Sequence, residues 1–264
     1  MKEITSLQNP RVKEIVALSQ KSSERRRQGC FVVEGVREVE RCVESGFNPR
    51  SLFLCEGQEL SYALADIIPS DILFKVSKAV YSKMAYREGT EGLIAVFQSR
   101  HIKLEDLQLG ANPLIIVLES VEKPGNLGAV LRTADAAKAD AVVICDPLTD
   151  IYNPNVIRSS LGAVFTVPCV ACASEECIRF LKKRSVQILT AQLQDSVLYY
   201  DTDMCVPTAI IMGTESTGLT NQWRAAADRH IRIPMLGSLD SLNVSVSTAI
   251  LTFEAIRQRQ PGKS

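Results

Sequence analysis

Three stretches of the chain place small and polar residues at spacings that chemistry can use. The first is Pro124-Gly125-Asn126-Leu127-Gly128-Ala129-Val130-Leu131-Arg132-Thr133-Ala134, where Asn126 and Arg132 interrupt an apolar helical pattern. The second, Ile211-Met212-Gly213-Thr214-Glu215-Ser216-Thr217-Gly218-Leu219, runs from an apolar strand into a turn holding Gly213, Glu215 and Gly218. The third runs from Ile233-Pro234 through Gly237, Asp240, Ser241, Leu242 and Asn243 to Ser247. There a short strand ends at proline, a loop of Gly, Ser and Asp follows, and a helix begins near Asn243. A helix entered this way offers unpaired N–H groups and small hydroxyls at its first turn, which suits a polar ligand and equally suits plain capping. An asparagine both donates and accepts, so Asn126 can orient a ligand or cap a helix. The guanidinium of Arg132 can bind phosphate or stabilise developing negative charge, or be an ordinary surface charge.

The elements that must position these residues read as two α/β units. In the first, strands are expected over 30–33, 51–55, 72–76 and 92–98, with helices over 9–19, 36–45, 61–68 and 77–86 between them; Asn9 and Pro10 open one helix and Gly46 stops another. Residues 99–112 are polar and charged and read as a linker. The pattern restarts with the continuous apolar run Leu114-Ile115-Ile116-Val117-Leu118, of buried-strand type. Strands are expected over 141–145, 187–191, 208–212 and 230–233, and helices over 127–137, 155–161, 174–184, 221–227 and 243–260. Strands alternating with helices imply a mostly parallel sheet covered on both faces. The expected domains are therefore 1–98 and 113–264.

With 264 residues, 46% of them hydrophobic, the chain can bury substantial cores. No apolar run approaches the roughly 18 residues of a membrane span, and Met1-Lys2-Glu3-Ile4-Thr5-Ser6 lacks a secretory hydrophobic region, so a cytoplasmic protein with no membrane partner is expected. The eight cysteines are then expected as reduced thiols. Cys169-Val170-Ala171-Cys172, with Cys177 near, is a C-x-x-C without a second ligand pair, and neither His101 nor His230 is close in sequence; no metal is expected. Thirty basic and thirty acidic residues cancel overall, but between Arg11 and Arg27 six basic residues face two acidic ones, a local net of +4 that suits phosphates or simply a solvated helix.

In order and in residues, the three stretches resemble the motifs of the SpoU/TrmH family of RNA ribose 2′-O-methyltransferases. Asn126, Gly128 and Arg132 fit the first motif, Gly213, Glu215 and Gly218 the second, and Ile233, Pro234, Ser241, Leu242 and Asn243 the third. Phe31-Val32-Val33-Glu34-Gly35, followed by an amphipathic helix, is similar to the substrate-binding domain that many members carry, itself like small RNA-binding ribosomal proteins. The resemblance implies a C-terminal trefoil-knotted domain that dimerises, S-adenosylmethionine as methyl donor, and RNA as substrate, ribosomal RNA ahead of tRNA. It implies that Gly213, Ile233 and Leu242 hold the donor and that Arg132, Asn126, Glu215, Ser241 and Asn243 act on the substrate. Arg132 is there a proposed aid to deprotonation; a permanently charged guanidinium suits phosphate binding and alkoxide stabilisation at least as well. In the last helix, Val246, Ala249, Ile250 and Phe253 form an apolar stripe that serves either the core or a second subunit.

Two rival readings remain beside it. One is a dinucleotide site built from the strand 114–118, Gly125-Asn126-Leu127-Gly128 and Asp146, which lacks the full G-x-G-x-x-G. The other is an idle RNA-binding scaffold of the same fold.

Overall fold

The computed structural model describes residues 2–86, 91–214 and 217–260. The chain divides into two compact units, Met1–Arg100 with Asp150–Thr166, and His101–Thr149 with Val167–Ser264.

In the first unit, β1 (Lys2–Ile4), α1 (Pro10–Gln20), α2 (Ser22–Gln28), β2 (Cys30–Glu34), α3 (Val36–Glu44), β3 (Pro49–Cys55), α4 (Tyr62–Ala65), β4 (Leu73–Val76), α5 (Lys78–Met84) and β5 (Leu93–Gln98) follow one another. They form a mixed sheet of order β1-β4-β3-β5-β2. Val12, Ile15 and Leu18 of α1 and Val80 and Met84 of α5 bury against one face, as their helical spacing dictates. α2 carries no apolar stripe and ends at Gly29, whose φ of 61° is the left-handed turn that stops a helix at little cost. Arg25 of α2 is 5% exposed. It donates to Asp150 Oδ2 at 2.6 Å and to the Leu18 carbonyl at 2.6 Å. Arg25 is thus a structural ion pair and is removed from the basic run as a phosphate contact; Arg26 and Arg27 are exposed.

The second unit opens in residues 101–113. Part of the expected linker belongs to the core: Leu104 and Leu107 are buried with the sheet's side chains. Then come β6 (Leu114–Glu119), α6 (Pro124–Ala136) and β7 (Ala141–Cys145). Two helices, α7 (Pro154–Ser159) and α8 (Ala163–Thr166), interrupt this unit and belong to the first. Residues 150–166, inside the expected domain 113–264, thus pack with the first unit, and aromatic packing is the reason. Tyr152 stacks on Phe31 at 4.2 Å between ring centroids, Phe165 lies 5.4 Å from Phe47, and Arg41 donates to the Leu161 carbonyl.

The second unit continues through β8 (Cys169–Cys172), α9 (Ser174–Lys183), β9 (Gln187–Ala191), β10 (Val197–Leu198), β11 (Thr208–Met212), α10 (Asn221–Ala226), β12 (Arg229–Arg232) and α11 (Val244–Arg259). Its sheet has the order β10-β12-β9-β11-β6-β7-β8, and every pairing is parallel. β6, β7 and β11 are buried along their whole length, which is why they read as unbroken apolar runs. Trp223 of α10 and Leu181 of α9 cover one face. α11 packs on α6, β6 and β11. Its buried residues are Val244, Thr248, Leu251, Thr252 and Ala255, so the stripe of Val246 and Phe253 is not the core face: both are nearly half exposed.

The far end of α11 is tied down by Arg259, which donates to the carbonyls of Met204, Asn112 and Val206. No helix among the described residues is long and apolar enough to cross a membrane.

Candidate active site

The carboxyl ends of β9, β11 and β12 open onto a cavity of about 340 Å³. Its floor is Met212, Gly213 and Thr214, where β11 runs out; its walls are Gln192 after β9, Ile233 after β12, and Ser241, Leu242 and Val244 at the entry to α11. A parallel sheet collects ligands at this edge because every strand delivers a loop there. Beside it lies a smaller cavity of about 110 Å³ lined by Ser120, Glu122, Lys123 and Asn126. The two share Gly213, Thr214 and Val244.

The glycine at 213 is required by space. An added Cβ would stand 2.4 Å from the Gly218 carbonyl carbon and 2.6 Å from both the Gly218 oxygen and the Leu219 nitrogen. This close approach goes with the pairing of Thr214 and Gly218, in which the Gly218 N–H donates to the Thr214 carbonyl at 3.1 Å. Gly218 is glycine for a different reason, a φ of 67°. Glu215 lies outside the described residues.

Asn243 both caps α11 and reaches across to α6. Its Oδ1 accepts from the Ser245 N–H at 3.0 Å, and its Nδ2 donates to Asn126 Oδ1 at 3.1 Å. The first and third motifs, 117 residues apart, thus meet through Asn126, which lines the smaller cavity, and Asn243, which lines neither but stands between Leu242 of the larger cavity and Val244 of both. Ser241 and Leu242 are exposed on the loop before the cap, and Ile233 is half-buried. Arg132 is not brought to this point. At 3.6 residues per turn it stands about 120° around α6 from Asn126. It is exposed and lines neither cavity.

Several participants carried no sequence signal. Glu119, buried at the end of β6, accepts from the Thr220 N–H at 2.8 Å and its hydroxyl at 2.6 Å, fixing the chain just beyond Gly218 and Leu219. Gln192 and Arg224 line the large cavity, and the buried atoms Gln192 Oε1 and Arg224 Nε have no partner among the described residues. Only the folded sheet brings them there; a glutamine after a strand or an arginine on a short helix is ordinary in sequence.

The dinucleotide alternative needs Asp146 as a ribose acid, and its carboxylate is otherwise engaged. Asp146 Oδ2 accepts from the Ser174 hydroxyl at 2.6 Å, which in turn accepts from Trp223 Nε1 at 3.0 Å. The C-x-x-C is likewise not a ligand pair. Residues three apart on a strand point to opposite faces, so β8 sends Cys169 and Cys172 apart. Burial pushes the Cys169 thiol up to about 12, the mark of an inert side chain.

A parallel sheet with a ligand-sized cavity over its carboxyl edge defines an α/β enzyme. Residues 113–253 match the SpoU rRNA Methylase family, and residues 9–95 match the MRM3-like substrate binding domain. The chain belongs to the SpoU rRNA Methylase family, whose members are S-adenosylmethionine-dependent RNA ribose 2′-O-methyltransferases. It is 29% identical to the 23S rRNA (uridine(2479)-2′-O)-methyltransferase of Streptomyces viridochromogenes over 100% of this chain and 94% of that one. It is 30% identical to the 23S rRNA (guanosine(2553)-2′-O)-methyltransferase RlmP of Bacillus subtilis over 96% and 98%. The crystal structure of an AdoMet-bound rRNA methyltransferase from Sinorhizobium meliloti superposes with a TM-score of 0.89 at 30% identity, covering 98% of this chain and 99% of that one.

Proposed function

We propose that the chain methylates a ribose 2′-hydroxyl of 23S-type ribosomal RNA, and that it does so as a homodimer. The observation that carries the reading is that two cavities share Gly213, Thr214 and Val244, with the Asn126–Asn243 bond tying α6, beside the smaller one, to the entry of α11, beside the larger. A donor in the larger cavity and a ribose in the smaller one would meet there. The relatives named above, matched almost end to end, both act on 23S rRNA, which favours ribosomal RNA over tRNA. One is named for a uridine and the other for a guanosine, so the target base is a property of the individual enzyme.

The large cavity suits S-adenosylmethionine. Its volume falls in the about 300–1,000 Å³ range of small-ligand sites. Leu219, Ile233 and Leu242 offer an apolar rim for adenine, and Gln192 Oε1 and Arg224 Nε offer an unused acceptor and donor. When bound, the donor supplies an already activated methyl group, so positioning is the main task left to the protein. Gly213, Ile233 and Leu242 would hold the donor, and Asn126, Asn243 and Ser241 would orient the ribose hydroxyl. With the donor bound, its methyl group would leave the sulfonium sulfur, which departs as the neutral thioether, for the 2′-oxygen, whose proton would pass to water, and Arg132 would offset the negative charge developing on that oxygen.

In this reading Arg132 comes from the second subunit, since it lies away from its own chain's cavity. Exposed Val246 and Phe253 on α11, and Leu236 and Leu239 on the preceding loop, supply the apolar surface for that partner. The knotted threading of 233–243 and a cytoplasmic setting, which suits eight unpaired thiols, belong to the same proposal.

Two experiments test it. Ribose methylation mapped over total RNA with and without the gene should show one mark missing from 23S rRNA; a mark missing only from tRNA would replace the substrate assignment. Mixing Arg132→Ala subunits with Gly213→Trp subunits, each inactive alone, should restore one working site per dimer. A site made within one chain would stay dead on mixing, and a monomer with full turnover would defeat the shared site.

A further inference from the structure

Three thiols distant in sequence meet in the second unit. β7 and β8 are neighbours, and their register sets Cys145 opposite Cys172. Cys177, in the first turn of α9, adds the third, so that all three sulfurs lie within 4.8 Å of one another. Cys145 and Cys177 are buried and Cys172 is partly exposed, leaving one side open to approach. None of the three lines either cavity of the transferase site.

We propose that Cys145, Cys172 and Cys177 form a binding site for a soft, thiophilic metal ion of the monovalent copper type, held by three sulfurs alone. The geometry suits trigonal coordination. With metal–sulfur bonds of about 2.3 Å, three sulfurs around one centre stand about 4.0 Å apart, so the side chains need close by less than about 1 Å. Two of them project from hydrogen-bonded neighbouring strands, which hold the pair in place before any ion arrives.

The donor set decides which ion. Thiolates select soft cations, and no histidine or carboxylate ligand atom joins the cluster among the described residues. Asp146, next in sequence to Cys145, has its Oδ2 bonded to the Ser174 hydroxyl. A tetrahedral zinc ion would lack its fourth protein ligand. The surroundings, Val143, Val170 and Leu181 of the same apolar core, exclude water on the buried side.

The test uses the reduced full-length chain without oxygen, offered Cu(I) from a chromogenic chelator. One Cu(I) should be taken up per chain, and X-ray absorption should show sulfur neighbours only, at about 2.3 Å. Cys172→Ala should weaken uptake by at least about 100-fold, since loss of a ligand exceeds the 10- to 100-fold typical of losing an outer-shell partner. Cys177→Ala should do the same. Cys169→Ala, on the opposite face of β8, and Cys205→Ala, at an exposed position, should leave it unchanged. Circular dichroism checks that each variant is folded, and Cys172→Ala, at the partly exposed position, decides if Cys177→Ala is not. Uptake unaltered in Cys172→Ala, nitrogen or oxygen neighbours, or Zn(II) held as tightly as Cu(I) would overturn the proposal.

Discussion

Replacing Gly213 with alanine tests whether the floor of the large cavity is set by backbone contact. The new methyl carbon would lie 2.4 Å from the Gly218 carbonyl carbon, against the 3.4 Å at which ordinary contact begins, so the 213–219 turn must give by about 1 Å. All three close atoms belong to backbone, and no side-chain rotation relieves them. Overpacking of this kind costs about 1–3 kcal/mol. If the turn opens on the cavity side, the cost falls on donor binding, a loss of about 5- to 140-fold in affinity. Titration calorimetry with S-adenosylmethionine on the full chain reads that loss, and a thermal melt reads whatever share falls on folding. Position 218 is the control. There the nearest atom to an added Cβ is 3.9 Å away and the constraint is a φ of 67°, which asparagine tolerates better than alanine. Gly218→Asn should therefore bind donor better than Gly218→Ala, whereas Gly213→Asn should be worse than Gly213→Ala. Donor affinity within twofold of the parent together with an unchanged melting temperature in Gly213→Ala would refute the reasoning.

Arg25→Ala should destabilise the chain by about 1–3 kcal/mol, because it leaves the half-buried Asp150 without its cation and the Leu18 carbonyl without its donor; a denaturant midpoint equal to the parent's would contradict that. Arg26→Ala with Arg27→Ala should leave stability nearly unchanged, and if these two exposed side chains meet phosphate, RNA binding should lose up to about two units of salt dependence. A fragment beginning at residue 113 should aggregate or bind a hydrophobic dye, since it carries Tyr152, Val156, Ile157 and Phe165 without Phe31 and Phe47; a soluble, cooperatively melting fragment would show that 150–166 finds other cover.

What could be read from the sequence follows from where side-chain periodicity survives without tertiary partners. β7 and β11 have the expected bounds because a strand buried on both faces is almost continuously apolar, whatever it packs against. β1 went unread: Lys2-Glu3-Ile4 has one buried residue and is a strand only through its pairing with β4. β8 went unread as a strand because the four residues Cys169-Val170-Ala171-Cys172 carry no alternation of polar and apolar side chains of their own. α2 looked like a charge run because its only buried residue is an arginine, and nothing local announces that Asp150, 125 positions on, will neutralise it. That 150–166 packs with the first unit went unread for the same reason, since Tyr152 and Phe165 find Phe31 and Phe47 over separations that no local pattern spans.

The site divides along the same line. Gly213, Ile233, Ser241 and Leu242 were legible together because the backbone of a turn and a helix entry is specified locally, and the cavity brings all four to one wall or floor. Asn243 was legible alone as a cap, whereas Asn126, readable as a cap of a helix from 127, sits inside α6, whose cap position is Lys123; their bond depends on α11 returning to α6, which requires the whole sheet between them. Arg132 is the inverse case. Its type and its distance from Asn126 name it from sequence, yet the helix that carries both turns it about 120° away, a consequence of 3.6 residues per turn that no rotation of one chain's α6 can undo while Leu127, Val130 and Leu131 stay buried. The dimer proposed above would answer this by having another copy present that guanidinium, and the exposed apolar side of α11, next to α6, is where such a copy would find apolar surface.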